Sequence, residues 1–478
     1  MSLTARLRKA RSCKTGLVGA RPPPSDCWER SALSQYHVAV GLADAMLAGP
    51  PTARSTRARC ARALDENPAW LAAVVKAMTG RFAQAWREES RQAIALAIRE
   101  QPEFLQAWSA SPRPSLCRYF LESPSMGRRP LGLEQCALPN LPTVGDISKW
   151  LQIGARELAW LSDRRGWESL ARDQRLRHYR YRWIAKRSGG HRLLEVPKST
   201  LRQVQRRILR ELLEYIPPHP SAHAFRARYS CLTNAAPHVG QLVVIKMDLE
   251  DFFVGVHGAR VSALFRTLGY PSQAAAVLAG LCTNRVPPDV LDVRDTARYK
   301  FELPSIEWRA RKRYQNPHLP QGAPTSPALA NLCAFNLDVR LQALAQSTGA
   351  HYTRYADDLA FSGGEALSRG SGRFVCLVAA IAQEEGFSVN FRKTRVMQQS
   401  IRQQVTGIVV NQKPNIRRED YDRLKATLHN CARFGPQSQN RNALRDYRAH
   451  LAGRIAHLGA INSQRGERLR VLFERIAW

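Results

Sequence analysis

His351-Tyr-Thr-Arg-Tyr355-Ala356-Asp357-Asp358-Leu-Ala-Phe-Ser362 is the stretch on which the reading of this 478-residue chain turns. Two adjacent acids stand between apolar and aromatic strand formers, which predicts a β-hairpin with carboxylates at its tip. Neighbouring carboxylates in a partly buried site raise each other's pKa, and a divalent cation removes that conflict. A solvated Asp-Asp turn is the plainer alternative, but such turns rarely have so many strand formers on both sides. Upstream, Gln241-Leu-Val-Val-Ile-Lys-Met-Asp248-Leu-Glu-Asp-Phe-Phe253 runs an apolar segment, interrupted by one lysine, into another acid. An unpaired carboxylate in a core costs roughly several kcal/mol, so Asp248 is expected to cap the strand end or to bind a metal. Between these runs, Leu319-Pro-Gln321-Gly322-Ala-Pro-Thr-Ser326-Pro327-Ala-Leu-Ala-Asn331 is a Gly/Pro loop leading into helical spacing over Leu329 to Ala345. Its small residues would let a base pair or sugar approach the backbone. As helix initiation alone, Ser326 would be the N-cap and Pro327 the first helical residue.

The three runs converge on one chemistry. Phosphoryl transfer between nucleotides uses two Mg²⁺ ions about 3.5–4 Å apart, held by carboxylates arriving from different strands. Asp248, Asp357 and Asp358 would be the catalytic metal ligands, and the Gln321 loop would face the incoming nucleotide.

Charge points the same way. Lys and Arg number 72 against 39 Asp and Glu, a net charge of +33. Such a surface repels itself unless a polyanion lies on it, which makes nucleic acid the first partner expected and an anionic membrane surface the second. The excess is spread along the chain rather than confined to a tail. An apolar content of 44% excludes a wholly disordered or fibrous protein. No run approaches the roughly 20 apolar residues of a membrane span. The basic opening, Met1 to Asp26, lacks the apolar segment of a secretory signal and reads as a disordered arm. Ten cysteines are scattered without a C-x-x-C pair, so free thiols and a soluble cytoplasmic location are expected.

Organisation follows from composition. Helical spacing runs over Cys60 to Met78 and Arg81 to Trp108, with Pro68 and Pro102 near helix starts. A Pro-rich stretch from Ser111 to Pro142 breaks the period. Ile147 to Leu170 is helical again. Tyr179 to Ile184 and Arg192 to Pro197 read as strands turning at Ser188-Gly-Gly-His191, and helical spacing returns over Leu201 to Tyr215.

With these motifs in order, the chain resembles reverse transcriptases. Tyr355-Ala-Asp-Asp358 looks like the polymerase box of that family, Asp248 like its first catalytic aspartate, and Leu319 to Gly322 like its nucleotide-pocket loop. The resemblance implies an α+β right-hand polymerase: residues 146–240 as fingers, 241–411 as an antiparallel-sheet palm, and 412–478 as a helical thumb. Residues 1–145 would be a basic arm, helical extension and Pro-rich linker. It further implies that Phe253 is the steric gate against a 2′-hydroxyl. Lys186, Arg192 and Lys198 would hold the triphosphate with Gln321 and Gly322, and Lys393 would lie near the leaving pyrophosphate.

Asn234-Ala-Ala-Pro-His238 and Val405-Thr406-Gly407 are similar to signatures of retron reverse transcriptases; by residue type alone they read as a turn and a strand end. The extension before residue 150 is similar to that of myxobacterial retron enzymes. The retron resemblance implies a structured non-coding RNA as template and primer, dNTPs as substrates, and a branched RNA–DNA product (msDNA) started at the 2′-hydroxyl of an internal guanosine. It also implies a role in anti-phage defence with an effector protein. Asn234, His238, Val405, Thr406 and Gly407 would then contact RNA. So would Arg441, Arg445 and Arg448 of the thumb, unless they form only a solvated basic face. The alternatives are a group II intron maturase and a non-catalytic RNA-binding protein on a polymerase scaffold. The 67 residues after Asn411 leave little room for maturase and endonuclease regions, and the three intact aspartates oppose the second.

Overall fold

The computed structural model describes residues 27–82, 90–118, 125–185, 191–291 and 308–478. The basic arm, Lys186 and the Ser188–Gly190 turn lie outside them. The chain divides into two compact units, Met1–Pro124 and Ser125–Trp478.

In the first unit, short helices replace the two long runs expected. They are Cys27–Leu47, Ala53–Leu64, Ala69–Arg81, Arg91–Arg99 and Pro102–Ser109. The breaks are chemical. The side chains of Thr52 and Ser90 accept hydrogen bonds from the first turns of their helices, Pro68 is an N-cap, and Pro102 opens the last helix. Leu42, Met46, Leu71, Met78, Ile94, Ile98 and Phe104 form a closed core. The buried Arg59 donates to the Ala45 and Met46 carbonyls at 2.7 and 2.8 Å, satisfying the end of the first helix.

The second unit begins before residue 146, because Leu138 and Leu141 already sit in its main core. Helices Val144–Leu151 and Ala155–Ser162 precede a hairpin of β1 (Tyr179–Ala185) and β2 (His191–Pro197). Helix Ser199–Glu211 follows, burying Leu201, Val204 and Ile208 on one face.

The central sheet is built from β3 (Val243–Asp248), β4 (His351–Tyr355), β5 (Asp358–Gly363) and β6 (Arg395–Gln398). Its order is β4-β5-β3-β6, antiparallel throughout. The near-continuous apolar run of β3 reflects cover on both faces. Val243, Ile245 and Met247 join the main core, with side chains from helices Gly258–Thr267, Ser272–Cys282, Phe335–Ser347 and Ser371–Glu384. Val244 and Ala360 pack on the other face against Val405 and Ile408 of the small hairpin β7 (Gln404–Val405) and β8 (Ile408–Val409).

The expected helix over Leu329 to Ala345 is two helices, Ser326–Cys333 and Phe335–Ser347. Ser326 is not their cap. Thr325 holds the N-cap position, and the Ser326 hydroxyl instead donates to the Pro320 carbonyl at 2.7 Å, closing the preceding loop.

Helices Arg418–Phe434, Tyr447–Ile461 and Ser463–Glu474 enclose a separate core around Leu428, Leu451, Leu458 and Leu469. Their last break escapes a sequence reading because it contains neither Gly nor Pro; the side chain of Asn462 caps the third helix by accepting from the Arg465 amide. Among the described residues no helix is long and apolar enough to cross a membrane, and the eight cysteines whose side chains are described are free.

Candidate active site

Strand register brings the three aspartates together. Asp248, at the end of β3, lies directly opposite Asp358, at the start of β5. Tyr355 pairs with Asp358, so Ala356 and Asp357 form the two-residue turn between β4 and β5. Ala356 takes φ 57° there. The backbone fixes this end of the sheet: the Leu249 amide donates to the Asp357 carbonyl at 2.9 Å, and the Asn390 amide to the Asp248 carbonyl at 2.7 Å.

Like charges opposite one another in a sheet destabilise it, and two lysines answer the repulsion here. Lys393 Nζ lies 2.9 and 3.0 Å from the two Asp248 oxygens. Lys246 Nζ lies 3.0 Å from Asp358 Oδ1. Lys246 stands out in the sequence only as an interruption of an apolar run. The signal for its role is period two: it shares a face of β3 with Asp248. Burial, and then the charges of Asp358 and Asp248, hold the Asp357 carboxyl above the usual range.

Among the described residues, no three His, Cys, Asp or Glu side chains converge as a ready-made metal cage. The chemistry of the donors nonetheless suits a hard divalent cation. Three acceptor-only carboxyls share one sheet end, and two lysines offset only part of their charge.

Phe253, five residues beyond Asp248 in the chain, lines a cavity of about 400 Å³ together with Gly322, Val196, Arg202, Arg206 and Pro327. The Gln321 loop reaches it by packing on β2. The Glu195 amide donates to the Gln321 carbonyl at 2.9 Å, and Gly322 has φ +134°, where a Cβ would lie 2.9 Å from the Glu195 carbonyl. Arg192 is exposed at the start of β2. The Lys198 ammonium donates to the Gln174 and Arg175 carbonyls at 2.7 and 3.0 Å. Arg202 and Arg206 line the cavity wall, and the one-sided apolar pattern of their helix was the available signal. Beneath the loop, the buried carboxylate of Glu195 accepts from His318 Nε2 at 3.0 Å and Asn284 Nδ2 at 2.7 Å, bolting β2 to the chain just before Pro320.

Gly322→Ala tests this packing. A forced positive φ costs about 1–3 kcal/mol, and the new methyl meets backbone rather than a movable side chain. We expect nucleotide KM to rise several-fold with little change in nucleic-acid affinity; unchanged steady-state kinetics would show that the loop tolerates displacement.

A buried network supports the turn from behind. Arg354 Nε and Nη2 each lie 2.7 Å from an oxygen of Asp338. Arg354 Nη1 donates to Asn331 Oδ1 at 3.0 Å and to the Ala356 carbonyl at 3.1 Å, and the Tyr352 hydroxyl donates to Asp338 at 2.7 Å. Arg354 and Asp338 are fully buried.

Several residues expected to contact RNA lie elsewhere. His238 is fully buried, with ring nitrogens 2.7 Å from Ser362 Oγ and 2.8 Å from Thr353 Oγ1. Burial, then the nearby His351 and His223, push its pKa down to about 3. The Thr353 hydroxyl donates to the Asn234 carbonyl at 3.1 Å, so Nε2 carries the proton and Nδ1 accepts from Ser362. His238 is thus a neutral brace across β4 and β5. Asn234 is also buried, and neither polar atom of its side chain has a partner among the described residues.

Thr406 and Gly407, with φ of 45° and 86°, form the turn between β7 and β8, as a type I′ hairpin requires. Val405 is buried against Ala235, and the Thr406 hydroxyl donates to the Cys231 carbonyl at 3.1 Å. The two signature stretches therefore form one packed unit behind the sheet, with Ala236 and Gly407 exposed. Arg441 and Arg445 lie exposed in the loop before helix Tyr447–Ile461; Arg448 lies on that helix, its guanidinium 5.8 Å from the Trp478 ring centre.

Residues 184–410 match the family described as reverse transcriptase (RNA-dependent DNA polymerase). The chain is 43% identical to the retron Mx65 reverse transcriptase of Myxococcus xanthus over 303 residues, 62% of this chain and 64% of that protein. It is 34% identical to the retron Mx162 reverse transcriptase of the same organism, over 63% of this chain and 61% of that one. These two matches each span less than two thirds of the relative's length. Identity to the retron Ec86 reverse transcriptase of Escherichia coli is 31%, covering 62% of this chain and 80% of the relative.

Proposed function

Because the chain belongs to the retron reverse transcriptase family and has its right-hand polymerase fold, we propose that it is an RNA-directed DNA polymerase that copies part of its own retron transcript. The observation that carries this reading is the strand register that sets Asp248 opposite Asp358 and Asp357 in the turn beside them, at one end of the sheet. The three carboxylates would hold two Mg²⁺ ions, which when bound lower the pKa of an attacking hydroxyl and stabilise a departing pyrophosphate.

This chain's own residues bind and orient. Lys393 and Lys246 offset the charge of Asp248 and Asp358 through their ion pairs, and Lys393 would leave Asp248 to meet the pyrophosphate. Lys186, Arg192, Gln321 and Gly322 hold the triphosphate. Residues 146–240 act as fingers, 241–411 as palm and 412–478 as thumb; in the last, Arg441, Arg445 and Arg448 contact the RNA phosphates and loop bases. Priming from the 2′-hydroxyl of an internal guanosine, the msDNA product and a defence role with an effector protein complete the proposal.

The test is to incubate the purified protein and its co-purifying RNA with labelled dNTPs and Mg²⁺. The expected product is DNA joined to RNA, freed by a 2′,5′-debranching enzyme. A free linear DNA would refute branch priming while keeping the polymerase. No incorporation on any primed RNA template would remove both.

Phe253 should select the sugar. It is half-buried and lines the cavity, and truncation to Ala would vacate the volume a 2′-hydroxyl needs. Phe253→Ala should raise ATP incorporation relative to dATP at least tenfold. An unchanged ratio would take Phe253 out of this role.

A further inference from the structure

Phe225 has no role in the site so far, yet its backbone and its ring are both unusual. Its φ is 58°, in the left-handed region that an aromatic residue occupies only where its surroundings impose it. It is 52% exposed, so burial of its own ring does not repay that conformation. What the conformation achieves is contact: the Phe225 and Phe253 ring centres lie 6.0 Å apart, tilted by 53°.

The segment before Phe225 is firmly held. The Arg354 amide donates to the Ser221 carbonyl at 2.7 Å, and the His223 amide to the Arg354 carbonyl at 2.8 Å, so residues 221–223 lie alongside β4. The Ala224 carbonyl accepts from the buried Asn331 Nδ2 at 2.9 Å, and Asn331 is itself held by Arg354. On the far side, the Arg226 guanidinium sits 4.0 Å from the Tyr229 ring centre. A rigid strand addition therefore ends in one left-handed residue that turns its ring toward Phe253.

Phe253 has a second aromatic neighbour, Phe252, with ring centres 5.6 Å apart. Phe252 is buried and stacks on Phe387. The Phe253 ring is thus bounded by a fixed core ring and by Phe225.

We propose that Phe225 is a specificity-determining positioning residue that confines the Phe253 ring and thereby sharpens discrimination against ribonucleotides. The inference rests on the reading of Phe253 as the sugar gate. An aromatic pair at this spacing contributes about 0.5–1.5 kcal/mol, which corresponds to about a 2- to 13-fold loss of discrimination when it is removed.

The experiment compares kcat/KM for dATP and ATP in Phe225→Gly, Phe253→Ala and the double variant, in the full chain on a primed RNA template. Gly accepts φ 58° without strain, so the substitution removes the ring and keeps the backbone. Phe225→Asn, which also tolerates this conformation, serves if the Gly variant is unstable, and Phe225→Tyr should restore discrimination. The expected result is a discrimination ratio lowered about 2- to 13-fold by Phe225→Gly, through ATP rather than dATP kinetics, with no further change in the Phe253→Ala background. If Phe253→Ala relaxes discrimination and Phe225→Gly does not, Phe225 has no such role. If Phe253→Ala itself changes nothing, the gate reading falls and this inference falls with it. An equal loss of dATP and ATP efficiency would mark Phe225 as structural only and overturn the proposal.

Discussion

Asp358→Asn should lower the rate of single-nucleotide extension by roughly 10²–10³-fold, the scale on which one preorganised electrostatic partner is lost. Asn preserves the shape of the side chain and its place opposite Asp248, but it removes the charge a divalent cation needs and leaves Lys246 without its counterion. RNA affinity should barely change, because a net charge of +33 still neutralises phosphates along the chain. Rapid-quench extension and fluorescence anisotropy at matched salt separate the two effects. Wild-type extension by this variant would displace the site from the β4–β5 turn.

Asp357→Asn should be equally inactive yet more stable. Its carboxyl is held above the ordinary range by burial and by Asp358 and Asp248, so folding disfavours the charged form at neutral pH. A raised carboxyl pKa means that the folded state gains stability as the group protonates, and the neutral Asn makes that gain at every pH. A melting temperature above wild type, beside extension lowered by the same roughly 10²–10³-fold, is the expected pair of results. A lowered melting temperature would refute the assigned strain.

The hairpin at 351–362 was legible because strand periodicity and acid placement are local properties, and the register of two short strands follows from a two-residue turn. Asp248 was legible for a related reason: an acid that closes an apolar run must find a partner or a metal, because a bare buried carboxylate is too costly. Residue type misleads where the partner is distant in sequence. His238 and Asn234 look like polar groups offered to a ligand, yet His238 reaches Thr353 and Ser362 and is spent inside the protein. Lys198 and Lys246 are equally cationic in sequence; only the fold gives one to backbone carbonyls and the other to Asp358. The third C-terminal helix shows the limit of punctuation by Gly and Pro, since a single capping Asn462 separates it from its neighbour. Arg354 carried no signal at all, because Asp338 and Asn331, which take most of its donors, lie on two separate helices and face it only once these pack against the sheet.

That arginine sets up the second large effect. A buried ion pair is costly to break from one side and cheap to remove whole: deleting one partner strands a charge and costs about 3–5 kcal/mol, whereas apolar replacement of the full set is often neutral. Asp338→Ala should therefore lower global stability by about 3–5 kcal/mol, since Arg354 is fully buried and the carboxylate takes two of its donors. The triple variant Asp338→Leu, Tyr352→Phe, Arg354→Met removes the charge pair with the hydroxyl that depends on it, and should recover most of that loss in a denaturant titration. Activity should not recover with it. Arg354 Nη1 also donates to the carbonyl of Ala356, whose left-handed backbone sets the direction of Asp357 and Asp358. With no donor there the turn is free to rotate, and a displacement of about 1 Å in a reacting constellation can cost on the order of 10²-fold. Stability near wild type with extension reduced at least tenfold is the result expected of a positioning role. Full activity in the stable triple variant would show that the turn holds its own shape and that Arg354 serves only the core.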